Sequence, residues 1–115
     1  MYNIKDIIRI NQDIGEDGIL VNKSALEFAL DRVHREKDWM RQSALIIRAI
    51  ICDHAFQEGN KRTAFTFIAA MCELHSTEYD PAKLTKSIHA ISRKAIANIG
   101  TIERLIENGI TRKNN

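Results

Sequence analysis

Apolar residues recur at helical spacing over most of the 115-residue chain. Ile4, Ile7, Ile8 and Asn11 share one face and Ile14 closes the stripe, which predicts a helix from Ile4 to about Asp13. The run Gly15-Glu-Asp-Gly18 breaks it, and Ile19-Leu20-Val21 reads as a short extended piece. Ser24, followed by Glu27 at capping-box spacing, opens a second helix through Leu26, Ala29, Leu30 and Val33 to about Arg35, with His34 at its end. Past the mixed-charge connection Arg35 to Asp38, Trp39 and Met40 start a helix whose apolar positions crowd together from Ala44 to Ile51. Apolar residues on nearly all sides mark it for burial at the centre of the fold. Arg48 interrupts the pattern and either reaches solvent along its stem or pairs with an acid. A second apolar segment, Lys61 to about His75, carries Phe65, Phe67, Ile68, Met71, Cys72 and Leu74. Asp80-Pro81 opens the next helix, with Leu84, Ile88, Ile91, Ala95 and Ile99 inward. Gly100 is expected to stop it, and Thr101 to cap a last short helix carrying Ile102, Leu105 and Ile106. Gly109 ends that helix, Ile110 adds a final apolar contact, and Thr111 to Asn115 is a polar tail.

The expected fold class is therefore all-α, a compact helical bundle in one domain spanning residues 1–115. A hydrophobic share of 44% with 28% charged residues is ordinary for a globular chain. The net charge of +2 gives no case for nucleic-acid binding, which calls for a more lopsided basic surface. Cys52 and Cys72 each lie in an apolar stretch and read as small core residues in a reducing compartment rather than as a disulfide or metal pair. No signal peptide or apolar run of transmembrane length is present, so the expectation is a cytoplasmic protein without membrane contact.

The chemistry concentrates between the two most apolar segments, in Asp53-His-Ala-Phe-Gln-Glu-Gly-Asn-Lys-Arg-Thr63. Gly59 can take positive φ and turn the chain sharply. Asn60 suits a helix N-cap. The following amides, Lys61 and Arg62 onward, would then lack intrahelical partners and carry the positive end of the helix dipole, which is an anion site. Cations are normally unfavourable in a first helical turn, so Lys61 and Arg62 make sense there if a polyphosphate neutralises them. Arg62 offers a planar fork and Lys61 a point charge. His54, close by in sequence, can take a proton from an attacking hydroxyl. Glu58 lies between base and cradle, and one carboxylate plus phosphate oxygens commonly holds Mg²⁺. Singly, each has a plainer reading: a helix-ending His, a solvated Glu, a wet Lys-Arg pair. Their order and spacing together point to transfer of a phosphate group from a nucleotide to a hydroxyl.

That run closely resembles the signature of the Fic/Doc family, H-x-F-x-(D/E)-(G/A)-N-(G/K)-R, with every fixed position met. The resemblance implies an all-α bundle of the Fic/Doc type, with a short β-hairpin flap near residues 15–23 that lines up the target's backbone; a plain interhelical loop is the alternative there. It further implies His54 as general base and Glu58 as Mg²⁺ ligand. Gly59, Asn60, Lys61 and Arg62 form the phosphate- and nucleotide-binding loop, and Phe56 anchors that loop in the core. ATP is the implied co-substrate. Three positions depart from the AMP-transferring branch, which resembles H-P-F-x-x-G-N-G-R-x-x-R: Ala55, Lys61 and Phe65 replace a proline, a glycine and the second arginine. The N-K-R-T-A form is similar to the Doc, or death-on-curing, toxin subgroup. That branch holds the nucleotide in the reverse sense and transfers the γ-phosphate to a translation factor. A protein Ser/Thr kinase is thereby favoured over an AMP transferase, with an idle binding module as the remaining alternative.

Many family members are silenced by a helix bearing S/T-x-x-x-E-G/N. In these residues no Ser or Thr has Glu four positions later. The arginine that such a glutamate would engage is replaced by Phe65. The resemblance therefore implies an antitoxin protein acting in trans.

Overall fold

The computed structural model describes residues 2–111, and the polar tail beyond them lies outside the described residues. The chain is all-α, built from α1 (Ile4–Asp13), α2 (Lys23–Val33), α3 (Trp39–Ile47), α4 (Asn60–Leu74), α5 (Pro81–Arg93) and α6 (Ile99–Asn108). A π-helical turn, Arg48–Cys52, extends α3. Two-residue strands β1 (Glu78–Tyr79) and β2 (Ile110–Thr111) pair antiparallel, Glu78 with Thr111 and Tyr79 with Ile110. α3 packs against α2 and α6, while α4 packs against α1 and α5, so the two most apolar helices fill the middle. Met40, Ala44, Ile46 and Ile47 of α3 and Ala64 and Ile68 of α4 are fully buried there.

Short polar side chains set most helix starts. In α1 the Asn3 side chain accepts from the Asp6 amide at 3.2 Å while Asp6 accepts from the Asn3 amide at 2.7 Å, a reciprocal capping box. Asp38 caps α3, and Asp80, followed by Pro81, caps α5. The expected Ser24 cap is corrected. Asn22 is the N-cap of α2, accepting from the Ala25 amide, and Ser24 lies inside the helix, its hydroxyl donating to Asn22. The junction of α5 and α6 is also corrected. α5 ends at Arg93 because Ala95 turns left-handed and the Ile96 amide reaches back to the Ile91 carbonyl at 3.0 Å. Asn98, not Thr101, caps α6, and Gly100 is within that helix rather than ending α5. Gly109 does end α6, and Ile110 is buried.

Both cysteines are free. Cys72 is buried in α4, and the half-buried Cys52 thiol donates to the Ile96 carbonyl at 3.0 Å. Burial pushes both thiols up, helped at Cys52 by Asp53 and opposed by Arg48. The Arg48 guanidinium donates to the Ala97 carbonyl, tying the π-turn to the α5–α6 connection. Among the described residues no helix is long and apolar enough to cross a membrane.

Tyr2 packs edge-on against Phe67, with ring centroids 5.2 Å apart, and joins the start of the chain to α4. Its buried hydroxyl has no hydrogen-bond partner among the described residues. Burial pushes this phenol well above its ordinary value of 10.0. The folded chain thus holds the phenolic proton more tightly than the unfolded chain does. That contribution to stability is complete below pH ~10 and is lost as pH rises beyond it. Tyr2→Phe removes an unsatisfied hydroxyl, so it should stabilise the fold by about 1 kcal/mol at neutral pH and flatten the alkaline loss of stability. Urea unfolding of both proteins at neutral pH and above pH 10 checks both effects.

Candidate active site

The site forms where the helical column of α3 breaks and α4 begins. The π-turn bonds the Asp53 amide to the Arg48 carbonyl, a five-residue reach that widens the helix end. The Ala55 amide then bonds back to Ile50 at 3.3 Å while His54 turns left-handed, with φ 48°. This helix-ending turn recurs at Ser76 after α4 and Ala95 after α5, so the conformation itself carries no functional message. Its consequence is positional. His54 stays exposed at the corner, whereas Ala55 and Phe56, the next two residues, turn into the core. Phe56 is 1% exposed.

The loop is closed by a side chain that the sequence assigns elsewhere. Asn60 is not the N-cap of α4. Gly59 occupies that position with φ 77°, and Asn60 is the first helical residue. The Asn60 carboxamide folds back on Phe56, accepting from its amide at 3.0 Å and donating to its carbonyl at 2.8 Å. These two bonds fix the span from Phe56 to Asn60 as one tight turn. α4 consequently starts without any side-chain cap. The Thr63 amide is satisfied by the Gly59 carbonyl at 2.8 Å, which leaves the Asn60, Lys61 and Arg62 amides as first-turn donors without a partner among the described residues. Glycine is favoured at position 59 by its positive φ, and a β-carbon there would also lie 2.7 Å from Glu16 Cγ and have to push that side chain aside.

Lys61 and Arg62 are exposed and stand together. Both line a cavity of about 470 Å³ beside α4. The Arg62 guanidinium donates through Nη2 to the Ile14 carbonyl at 3.0 Å, at the C-terminal end of α1. One of its five donors is thus used to hold the fork in place. Among the described residues neither cation has a carboxylate partner; the ion pairs are Asp31–Arg35 and Arg41–Glu103. Glu58 is exposed, and with Glu16 and Asp17 it borders a small cavity of about 50 Å³.

The expected hairpin over residues 15–23 is corrected to a single extended stretch laid against the motif loop. Leu20 bridges Phe56, the Gln57 amide donates to Ile19 at 2.9 Å, and the Val21 amide donates to Ala55 at 2.9 Å. Asn22 Nδ2 adds a bond to the Asp53 carbonyl at 2.9 Å. The extended piece therefore borders His54 on the chain side, with Ile19 and Val21 exposed.

Asn11 is the residue whose part in the site the helical stripe did not reveal. It is 1% exposed and every polar atom is used. Nδ2 donates to the Glu58 carbonyl at 2.9 Å and to Thr63 Oγ1 at 3.0 Å, and Oδ1 accepts from the Gly18 amide at 2.8 Å. One carboxamide thus ties α1, the 15–18 turn, the motif loop and α4 together. Its signal in the sequence was a polar residue on an otherwise apolar face. Asn11→Ala strands these buried partners and should cost about 1–3 kcal/mol in urea unfolding, with lost hydrogen-exchange protection at the Gly18 amide.

A model of the Fic/DOC family matches residues 2–72, which contain α3, the whole loop and all but the last two residues of α4. No curated protein and no solved structure shows a match to the chain. Members of that family are generally transferases acting on protein hydroxyls. With the match spanning more than half of its 115 residues, the chain belongs to the Fic/DOC family.

Proposed function

We propose that this chain is a Doc-like transferase that uses Mg²⁺-ATP to phosphorylate a Ser or Thr hydroxyl of a target protein. The observation that carries the reading is the first turn of α4, uncapped among the described residues and flanked by two cations that have no carboxylate partner among them. Three free amides at the positive end of a helix, with Lys61 and Arg62 beside them, match a polyphosphate in charge and in donor number. Lys61 fills space that glycine would leave open, and Phe65 stands where the AMP-transferring branch has a second arginine clamp. Both favour transfer of the terminal phosphoryl group.

In this reading His54 takes the proton from the target hydroxyl. The hydroxyl oxygen bonds to the terminal phosphorus as the bond to the bridging oxygen breaks, and ADP leaves with that electron pair. Holding the reactants in line is most of the catalysis. The loop can do this because Asn60, Asn11 and Arg62 fix it from three sides. Among the described residues no cluster of three or more His, Cys, Asp or Glu could hold a metal by itself. The exposed Glu58 beside a phosphate cradle suits Mg²⁺, which usually takes one or two carboxylates and completes its shell with phosphates and water. When bound, the ion neutralises charge on the phosphates. The extended stretch at Ile19–Val21 offers backbone and apolar surface for the target segment beside His54.

The target is proposed to be a translation factor in the cytoplasm. Inhibition is assigned to a separate antitoxin, since Phe65 removes the arginine on which the internal inhibitory glutamate of other members acts. Incubating the protein with cell extract, Mg²⁺ and ATP labelled at either the α or the γ position tests the reaction. Label from γ alone on a protein band supports the kinase. Label from α makes it a nucleotidyl transferase, and no label from either overturns the transferase reading. His54→Ala should cut the signal by about 10²–10⁴-fold, the usual share of a general base. Glu58→Ala should remove activity together with its Mg²⁺ dependence.

A further inference from the structure

Three described residues other than glycine turn left-handed, and each follows a helix: His54, Ser76 and Ala95. In all three the next amide reaches back five residues, Thr77 to Cys72 at 2.8 Å, Ile96 to Ile91 at 3.0 Å and Ala55 to Ile50 at 3.3 Å. The longest of these bonds is the one beside His54. We infer that Asn22 makes up the difference and is a positioning residue for His54, holding the turn that aims the imidazole. The inference rests on the reading of His54 as the base and applies whichever phosphorus is transferred.

The peptide planes on either side of His54 decide its φ and ψ. The plane after it carries the Ala55 amide, whose partner is Ile50. The plane before it carries the Asp53 carbonyl, and there Asn22 Nδ2 donates at 2.9 Å. That is the only hydrogen bond on this plane among the described residues. Asn22 holds the far end of the turn as well. Its backbone amide donates to the Ala55 carbonyl at 3.1 Å, alongside the Val21 amide at 2.9 Å. One residue from the start of α2 therefore grips the chain on both sides of His54. Neither of the other two left-handed residues is gripped this way among the described residues. Beside Ser76 the His75 carbonyl accepts from the nearby Thr77 hydroxyl, and beside Ala95 the Ile96 carbonyl takes one bond from outside, the Cys52 thiol.

The rest of the Asn22 side chain fixes which way its carboxamide faces. Oδ1 accepts from the Ala25 amide at 3.4 Å and from the Ser24 hydroxyl at 3.2 Å. A backbone N–H can only donate, so the oxygen lies toward α2 and the nitrogen toward Asp53. The side chain is thus cap and clamp at once, and the two tasks use different atoms. A left-handed backbone is unfavourable for a residue with a β-carbon and persists where its surroundings hold it. His54 is exposed, so its own side chain gives the turn little packing to lean on. Freed of the clamp, the Asp53–His54 plane can rotate, and the imidazole leaves the line it must keep with the hydroxyl and the phosphate.

Because the two tasks separate, the variants that test the clamp keep the cap. Asn22→Asp leaves an acceptor for the Ala25 amide and sets a carboxylate against the Asp53 carbonyl; Asn22→Ser caps α2 but is too short to reach Asp53. Transfer of label from ATP to protein in cell extract is measured at increasing ATP concentration. Melting is followed by circular dichroism, and the His54 φ by its ³J(HN–Hα) coupling in ¹⁵N-labelled protein. Both variants should melt as wild type does, and the His54 coupling should move away from its wild-type value. The maximal rate should fall by about 10–10²-fold, with the half-saturating ATP concentration unchanged within about twofold. Folded variants with a full maximal rate, or with an unchanged His54 coupling, overturn the inference and leave the transferase reading standing. So does a loss of rate that comes only with a loss of melting temperature, which makes Asn22 a cap and nothing more. Wild-type protein that transfers no label overturns the transferase reading, and the positioning role with it.

Discussion

The left-handed Gly59 and the Asn60 carboxamide that folds back on Phe56 form one constraint, and the site follows from it. An asparagine at the start of a helix would ordinarily cap it and use up one of the free amides. Here the same side chain is spent on the loop behind it. α4 therefore begins with its donors open, whereas the other five α-helices begin under an Asn or Asp side chain. The turn also places Glu58 outside and Phe56 inside, two residues apart.

Electrostatics make this arrangement costly unless something binds. Two cations in the first turn oppose the helix dipole by up to ~1 kcal/mol each at exposed positions. Arg62 recovers part of that by donating to the carbonyl at the end of α1, where the dipole has the opposite sign. The tether also reduces the freedom that Arg62 would lose on gripping a phosphate. α1 contributes again through Asn11, so the helix farthest in sequence from the motif fixes its geometry. If the proposed transferase reading holds, catalysis there is mainly positioning and gains more from such bracing than from any single contact.

Helical periodicity made α1, the buried middle helices and the Asp80-Pro81 start legible, because burial and local caps agree there. The motif named His54, Glu58, Gly59 and the two cations, and the fold puts Lys61 and Arg62 on one cavity and leaves His54 exposed. What local pattern missed was decided at a distance. Ser24 and Asn22 are both reasonable caps, and Asn22 wins where its backbone and side chain also bond Ala55 and Asp53. Thr101 loses to Asn98 once the left-handed Ala95 has ended α5 early. The extended character of Ile19 to Val21 was readable, but its partner, the motif loop itself, was not. Asn11 looked like one more position on a stripe because the groups it satisfies lie far along the chain in Glu58 and Thr63.

The central claim is that the α4 first turn, open by design of the Gly59–Asn60 loop, receives phosphate. Amide NMR of the ¹⁵N-labelled protein titrated with Mg²⁺-tripolyphosphate tests it most directly. The account predicts saturable shifts concentrated at the Asn60, Lys61 and Arg62 amides, with smaller ones at Gly59 and Ile14. Shifts scattered over the basic surface, or none at those three amides, would contradict it.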